Sequence, residues 1–133
     1  MEKFGEVIGW IAAVCYFISV ANLFVKRLYK AKISKLPQGS AFRAAYQALM
    51  RLLVRYHRYF GMAAGAFALF HLCWQITNVR VSVSGVLAAA LMAAASLLGI
   101  AVAYGRKAGL VKVHRPAALA LLAVVVFHMI TKI

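Results

Sequence analysis

The chain has 133 residues, of which 65% are hydrophobic and only 14% are charged. Soluble domains have roughly 45–50% apolar and about 25% charged residues, and so small a domain cannot bury this excess of apolar side chains. The composition excludes an ordinary soluble domain and predicts that most of the surface faces lipid. The net charge is +14, but the bases lie between apolar segments, which indicates membrane topology and lipid contact and not nucleic-acid binding.

Four apolar segments of low charge follow one another along the chain. A membrane-spanning helix needs about 20 mostly apolar residues. The sequence therefore predicts an all-α membrane protein, a four-transmembrane-helix bundle with helices at about residues 5–26, 57–79, 82–105 and 113–131, in one domain covering residues 1–133. The first segment is longer than the apolar core of a signal peptide, so we expect it to be retained. The fourth reaches full length with Pro116 in its first turn, where a missing N–H costs nothing.

The connection between the first and second helices contains a basic amphipathic segment. Ser40 is a plausible N-cap, and Phe42, Tyr46 and Leu49 recur after it at helical spacing, with basic residues on the opposite side. This pattern is typical of an interfacial helix or of an extension of the second membrane span.

The distribution of bases predicts the orientation. Nine Lys and Arg lie between the charge-free segments 7–25 and 59–79, and four lie between segments 81–105 and 116–131, which places thirteen of the sixteen on one side. The positive-inside rule assigns this side to the cytoplasm, so both termini should lie outside. We expect a multi-pass protein of a bacterial or archaeal cytoplasmic membrane.

The only histidines are His57, His71, His114 and His128, and the members of each pair are 14 residues apart. Fourteen residues are close to four helical turns, so both members face one side of their helix, about 21 Å apart along its axis. The second and fourth helices run in the same direction, so His57 can lie level with His114, and His71 with His128. A haem iron can take one imidazole on each side of the porphyrin. The spacing therefore predicts two b-type haems with these pairs as iron ligands.

Other interpretations of the histidines carry less weight. A proton relay would normally include carboxylates, yet the only acidic residues are Glu2 and Glu6 near one end. One zinc ion cannot bind four imidazoles that are divided between two distant layers. A haem-free four-helix membrane transporter or an assembly factor remains the alternative function.

Small side chains on the histidine-bearing faces would make room for a flat ring. Gly61, Ala64 and Ala68 lie on the face between His57 and His71, and Ala118 lies beside His114. Small residues also let membrane helices pack closely, so this observation alone does not separate the two roles.

Basic residues next to the predicted ligands are candidate partners for haem propionates. Arg58 and Arg115 each follow a histidine directly, and Arg forms bidentate bonds with carboxylates. Arg80 and Lys132 could serve the outer haem in the same way. Anchoring at the membrane interface explains all four equally well.

A quinone is a further candidate cofactor. Asn22, Trp74 and Gln75 are polar or aromatic residues at depths where a quinone could bind. No sequence motif supports such a site beyond their position.

The two histidine-bearing helices share one pattern, a His-Arg pair, then a small residue, then a second histidine. It consists of His57-Arg58, Gly61 and His71 in one helix and of His114-Arg115, Ala118 and His128 in the other. Over about residues 56–132 this pattern resembles the ferric reductase-like transmembrane domain, and its two-layer ligand plan is similar to the respiratory cytochrome b group. The resemblance implies a helical core in which two b haems are stacked across the membrane and pass electrons between its faces.

The resemblance also has implications for partners. Family members often have six helices where we expect four, and the family reductases use a fused NAD(P)H dehydrogenase domain, which these 133 residues lack. We therefore expect an electron-transfer subunit and not a self-contained enzyme. Its redox partner would be a separate flavoprotein, dehydrogenase or c-type cytochrome.

Overall fold

In a computed structural model, which describes residues 2–105 and 108–131, the chain forms four long α-helices. They are α1 (Glu2–Ala31), α2 (Ala41–Asn78), α3 (Val83–Gly105) and α4 (Ala108–Thr131), and a short 3-10 turn follows α1 (Ile33–Lys35). All four helices are long and apolar enough to cross a membrane. The chain is thus the predicted all-α, multi-pass four-helix membrane bundle.

Helix α2 is longer than the predicted second span because it includes the basic amphipathic segment. Ser40 caps it, since its Oγ accepts a hydrogen bond of 3.4 Å from the backbone N–H of Arg43. The segment is therefore an extension of the second span and not a separate interfacial helix. The extension is held against α1, because the Tyr46 hydroxyl donates to the Val25 carbonyl at 3.0 Å and the Gln47 amide donates to the Tyr29 hydroxyl at 2.7 Å.

Helix α4 begins at Ala108, so Pro116 lies inside the helix and its prediction in the first turn is wrong. The helix continues through basic residues such as Lys112, whose long side chains can reach the membrane surface from a helical position. Proline has no N–H to donate, so the carbonyl four residues earlier, that of Lys112, lacks its usual partner within the helix.

The two histidine-bearing helices, α2 and α4, occupy diagonal positions in the bundle. Helix α2 packs between α1 and α3, whereas α4 packs mainly on α3 and only sparsely on α1. Among the residues that the structure describes, no Cα atoms of α2 and α4 come within 8 Å of each other. The bundle centre between these two helices is therefore filled by side chains or left as cavities.

The apolar core forms a layer halfway along the bundle. It consists of Tyr16, Val20, Ala64, Ala88, Met92, Ala95, Leu121 and Val125. Ala64 and Leu121 have 0% of their surface exposed, and each lies seven residues, or about two turns, from both histidines of its own helix. A dry layer thus separates the two levels of histidines.

Many large apolar side chains point away from this core. Val83, Leu97 and Ile130 are among those that are mostly exposed on the outside of the bundle. An apolar surface of this extent is unstable in water and is the surface that a bilayer covers.

Candidate cofactor-binding site

In the described part of the chain, two cavities lie between the helices, on either side of the central apolar layer. His57 and His114 line one, of about 400 Å³, and His71 and His128 line the other, of about 470 Å³. Met92 is 5% exposed and lies between them, since it lines both. Both volumes fall in the range of about 300–1,000 Å³ that is typical of small-molecule sites. The structure thus brings the histidines together in the two pairs expected from their spacing.

The His57 and His114 rings face each other across the first cavity. Their ring centres are 6.2 Å apart and their planes are inclined by 73°. A metal binds an imidazole nitrogen at about 2.0–2.1 Å, so two imidazoles on opposite sides of one ion have ring centres about 6 Å apart. The observed separation of the ring centres therefore suits two imidazoles that would bind one ion from opposite sides.

Hydrogen bonds to α1 select the tautomer of both histidines on α2. The Nδ1–H of His57 donates to the Ser19 carbonyl at 2.9 Å, and that of His71 donates to the Gly5 carbonyl at 2.8 Å. A carbonyl can only accept a hydrogen bond, so Nδ1 carries the proton and Nε2 keeps a free lone pair. Metal-bound histidines are usually oriented by this kind of hydrogen bond.

The histidines on α4 lie against α3. The Nδ1 atom of His128 lies 3.0 Å from the Ser84 hydroxyl oxygen. The Nδ1 atom of His114 is buried beside the Ala95 carbonyl but makes no full hydrogen bond with the described residues. None of the four histidine Nε2 atoms hydrogen-bonds to any residue that the structure describes. All four Nε2 atoms are thus without a partner in the described part of the chain, and one metal ion in each cavity would give each of them a partner.

Glycines on α1 and α3 make space for three of the four imidazoles. A Cβ added at each of these glycines would lie closer to the Cε1 atom of an imidazole than ordinary van der Waals contact. The pairs are Gly9 with His71 at 3.0 Å, Gly85 with His128 at 3.1 Å and Gly99 with His114 at 3.3 Å. A larger side chain at these positions would displace the ring, so the glycines help to set where each imidazole points.

The structure places the other predicted site residues as follows. Arg58, Gly61, Arg115 and Ala118 line the His57/His114 cavity, together with Asn22. Ala68, Gln75 and Arg80 line the His71/His128 cavity. Ala64 belongs to the central core, Trp74 packs on Phe4 with ring centres 4.6 Å apart, and Lys132 lies outside the described residues.

The histidine partners on α1 and α3 were not predicted, although the sequence contains a signal for them. Gly5 and Ser19 on α1 are fourteen residues apart, and so are Gly85 and Gly99 on α3. This is the spacing of the histidines, because antiparallel neighbours must supply contacts at the same two depths. Each half of the chain is thus a helical hairpin with small or hydroxyl residues on its first helix and two histidines on its second.

No protein-family profile, curated protein or solved structure matches this chain. The geometry of the two histidine layers is therefore the basis on which a function can be assigned.

Proposed function

We propose that the chain binds two b-type haems, one in each cavity, and conducts electrons across the membrane as the cytochrome subunit of a redox complex. The observation that carries the proposal is the 6.2 Å separation of the His57 and His114 ring centres, which suits two ligands on opposite sides of one ion. The shared cavity of His71 and His128 supports a second site of the same kind.

The residues of the chain have three tasks in this proposal. The histidines supply Nε2 lone pairs, the Ser19 and Gly5 carbonyls keep the proton on Nδ1, and the core layer excludes water between the sites. When bound, each haem iron accepts and releases one electron, and the protein tunes its potential through ligands and surroundings. The positive-inside rule puts the basic end in the cytoplasm, where a separate redox partner exchanges electrons with the chain.

A haem-free transporter or assembly factor is the competing function. It gives no role to four imidazoles that face two cavities in two level pairs. Polar atoms in a membrane interior are costly unless they are satisfied. The haem-free alternative predicts a colourless purified protein.

The test is a reduced-minus-oxidised spectrum of the purified full chain, with the haem content measured against the protein concentration. We expect a b-type spectrum and two haems per chain. A protein without a Soret band contradicts the proposal, and a ratio near one leaves a single layer occupied and removes the path across the membrane.

The Ser84 hydroxyl contacts the Nδ1 atom of His128 and so helps to hold this ring. Replacing Ser84 with alanine should weaken haem binding in the His71/His128 cavity by roughly 10- to 100-fold, the usual effect of losing a partner of a metal-bound histidine. Ser19→Ala is the matched comparison, because His57 keeps the backbone carbonyl of residue 19 as its acceptor. Haem titrations should therefore show a large effect for the first substitution and a small one for the second. Equal effects would contradict this account of how the rings are oriented.

A further inference from the structure

The mouth of the His57/His114 cavity at the basic end of the bundle is lined by positive charge. Lys26 from α1, Arg58 from α2 and Arg115 from α4 all line it. The only acidic side chains in the sequence, Glu2 and Glu6, line the other cavity. No acidic side chain of the chain can therefore neutralise these three cations, and an anion from outside the chain would be stabilised among them.

A buried amide adds a second, independent feature to this mouth. Asn22 lies one turn before Lys26 on α1, lines the same cavity and is only 7% exposed. Its Oδ1 atom is enclosed and makes no hydrogen bond. Burial of an amide without a partner is unfavourable, and an amide can donate two hydrogen bonds as well as accept them. Its Oδ1 atom is an acceptor and does not bind a carboxylate, so the Nδ2–H groups are the part of this side chain that can donate to a carboxylate oxygen.

We propose that Asn22 and Lys26, together with Arg58 and Arg115, form a carboxylate-binding site at this mouth. The site takes the two carboxylates of the porphyrin in the His57/His114 cavity, and so fixes which edge of the ring points to the basic end. The inference rests on the proposed function, and it adds the α1 residues Asn22 and Lys26 as determinants of orientation. A lipid phosphate has similar chemistry and is the other source of an anion at this position.

The opposite cavity is lined by residues of different charge, so we expect the carboxylate-binding site at the His57/His114 cavity and not at the His71/His128 cavity. Among the described residues, its lining includes Glu2 and Glu6 with Arg80 as the one cation. Carboxylates repel each other, so this mouth does not favour two further carboxylates. We therefore expect the preference for a charged porphyrin edge in the His57/His114 cavity alone.

The experiment compares haem with haem dimethyl ester, in which both carboxylates are neutral. The full chain carries His71→Ala, so that only the His57/His114 cavity is loaded, and it is held in nanodiscs of phosphatidylcholine without anionic lipid. Soret titrations should show haem bound at least about tenfold more tightly than the ester, as expected for hydrogen bonds to charged groups. Lys26→Met and Asn22→Leu should each remove most of this preference while leaving the affinity for the ester unchanged.

Lys30→Met is the matched control, because Lys30 lies one turn beyond Lys26 on α1 and lines neither cavity. It should leave both affinities unchanged. Thermal unfolding of the haem-free protein gives a second readout, in which Asn22→Leu should cause no loss of stability because it removes a buried acceptor without a partner. A merely structural role for Asn22 predicts a clear loss instead.

Three outcomes would overturn the inference. Equal affinities for haem and ester would show that the carboxylates are not recognised. Lys26→Met could instead leave both porphyrin affinities unchanged and lower only the amount of phosphatidylglycerol that the protein binds in nanodiscs containing this lipid. That result would assign the site to a lipid headgroup. Failure of the His71→Ala protein to bind either porphyrin, although the unmodified chain binds haem, would contradict the ligand pairs themselves. A lack of binding by the unmodified chain would refute the proposed function first.

Discussion

Replacing His71 with alanine should halve the haem content of the purified protein, from two haems per chain to one. The His71 ring shares its cavity with His128, and the Gly5 carbonyl keeps its Nε2 atom free for a metal. Loss of one axial imidazole leaves the iron with a single protein ligand, whereas the other cavity, beyond the core layer, is unchanged. The haem-to-protein ratio and the reduced-minus-oxidised spectrum measure this directly.

The pairing of the histidines can be tested with the same measurement. His71→Ala and His128→Ala should leave the same single-haem spectrum, and His57→Ala and His114→Ala should leave the other one. Gln75→Ala is the control, because Gln75 also lines the His71/His128 cavity and is not a predicted ligand. Four different spectra, or full haem content in any of the histidine variants, would show that the ligand pairs are assigned incorrectly.

Replacing Gly99 with valine should remove the haem from the His57/His114 cavity without any change to a ligand. A Cβ at Gly99 would lie 3.3 Å from Cε1 of His114, and the two additional methyl groups of valine would extend further towards the ring. The imidazole must then leave its present position, and well-packed interiors do not absorb such a change easily. We expect haem affinity at this level to fall by more than about tenfold, since ligand geometry must be held within about 0.5 Å.

The control for this experiment lies on the same helix. Gly105→Val introduces the same side chain at a position where no heavy atom of the described residues lies within 4 Å of an added Cβ. It should retain two haems per chain in the spectrum. If both variants lose haem equally, the effect comes from the valine in a helix and not from contact with His114.

Features that depend on one helix at a time could be predicted from the sequence. Charge-poor segments of sufficient length predicted the four spans, and the fourteen-residue spacing of His57 and His71 placed both on one face, because helical periodicity is a local property. The first residue of α4 could not be predicted in the same way, because a basic residue such as Lys112 is compatible with either a helix or a loop at a membrane surface.

The surroundings of each histidine depend on how the four helices pack together. That Ser19 and Gly5 orient the rings on α2, and that Gly99 faces His114, depends on the relative height and rotation of neighbouring helices. The spacing of residues within one helix does not fix the height and rotation of its neighbour, because these follow from side-chain packing along the whole length of both helices. The same packing put α2 and α4 on a diagonal of the bundle, and so left two cavities where their histidines meet.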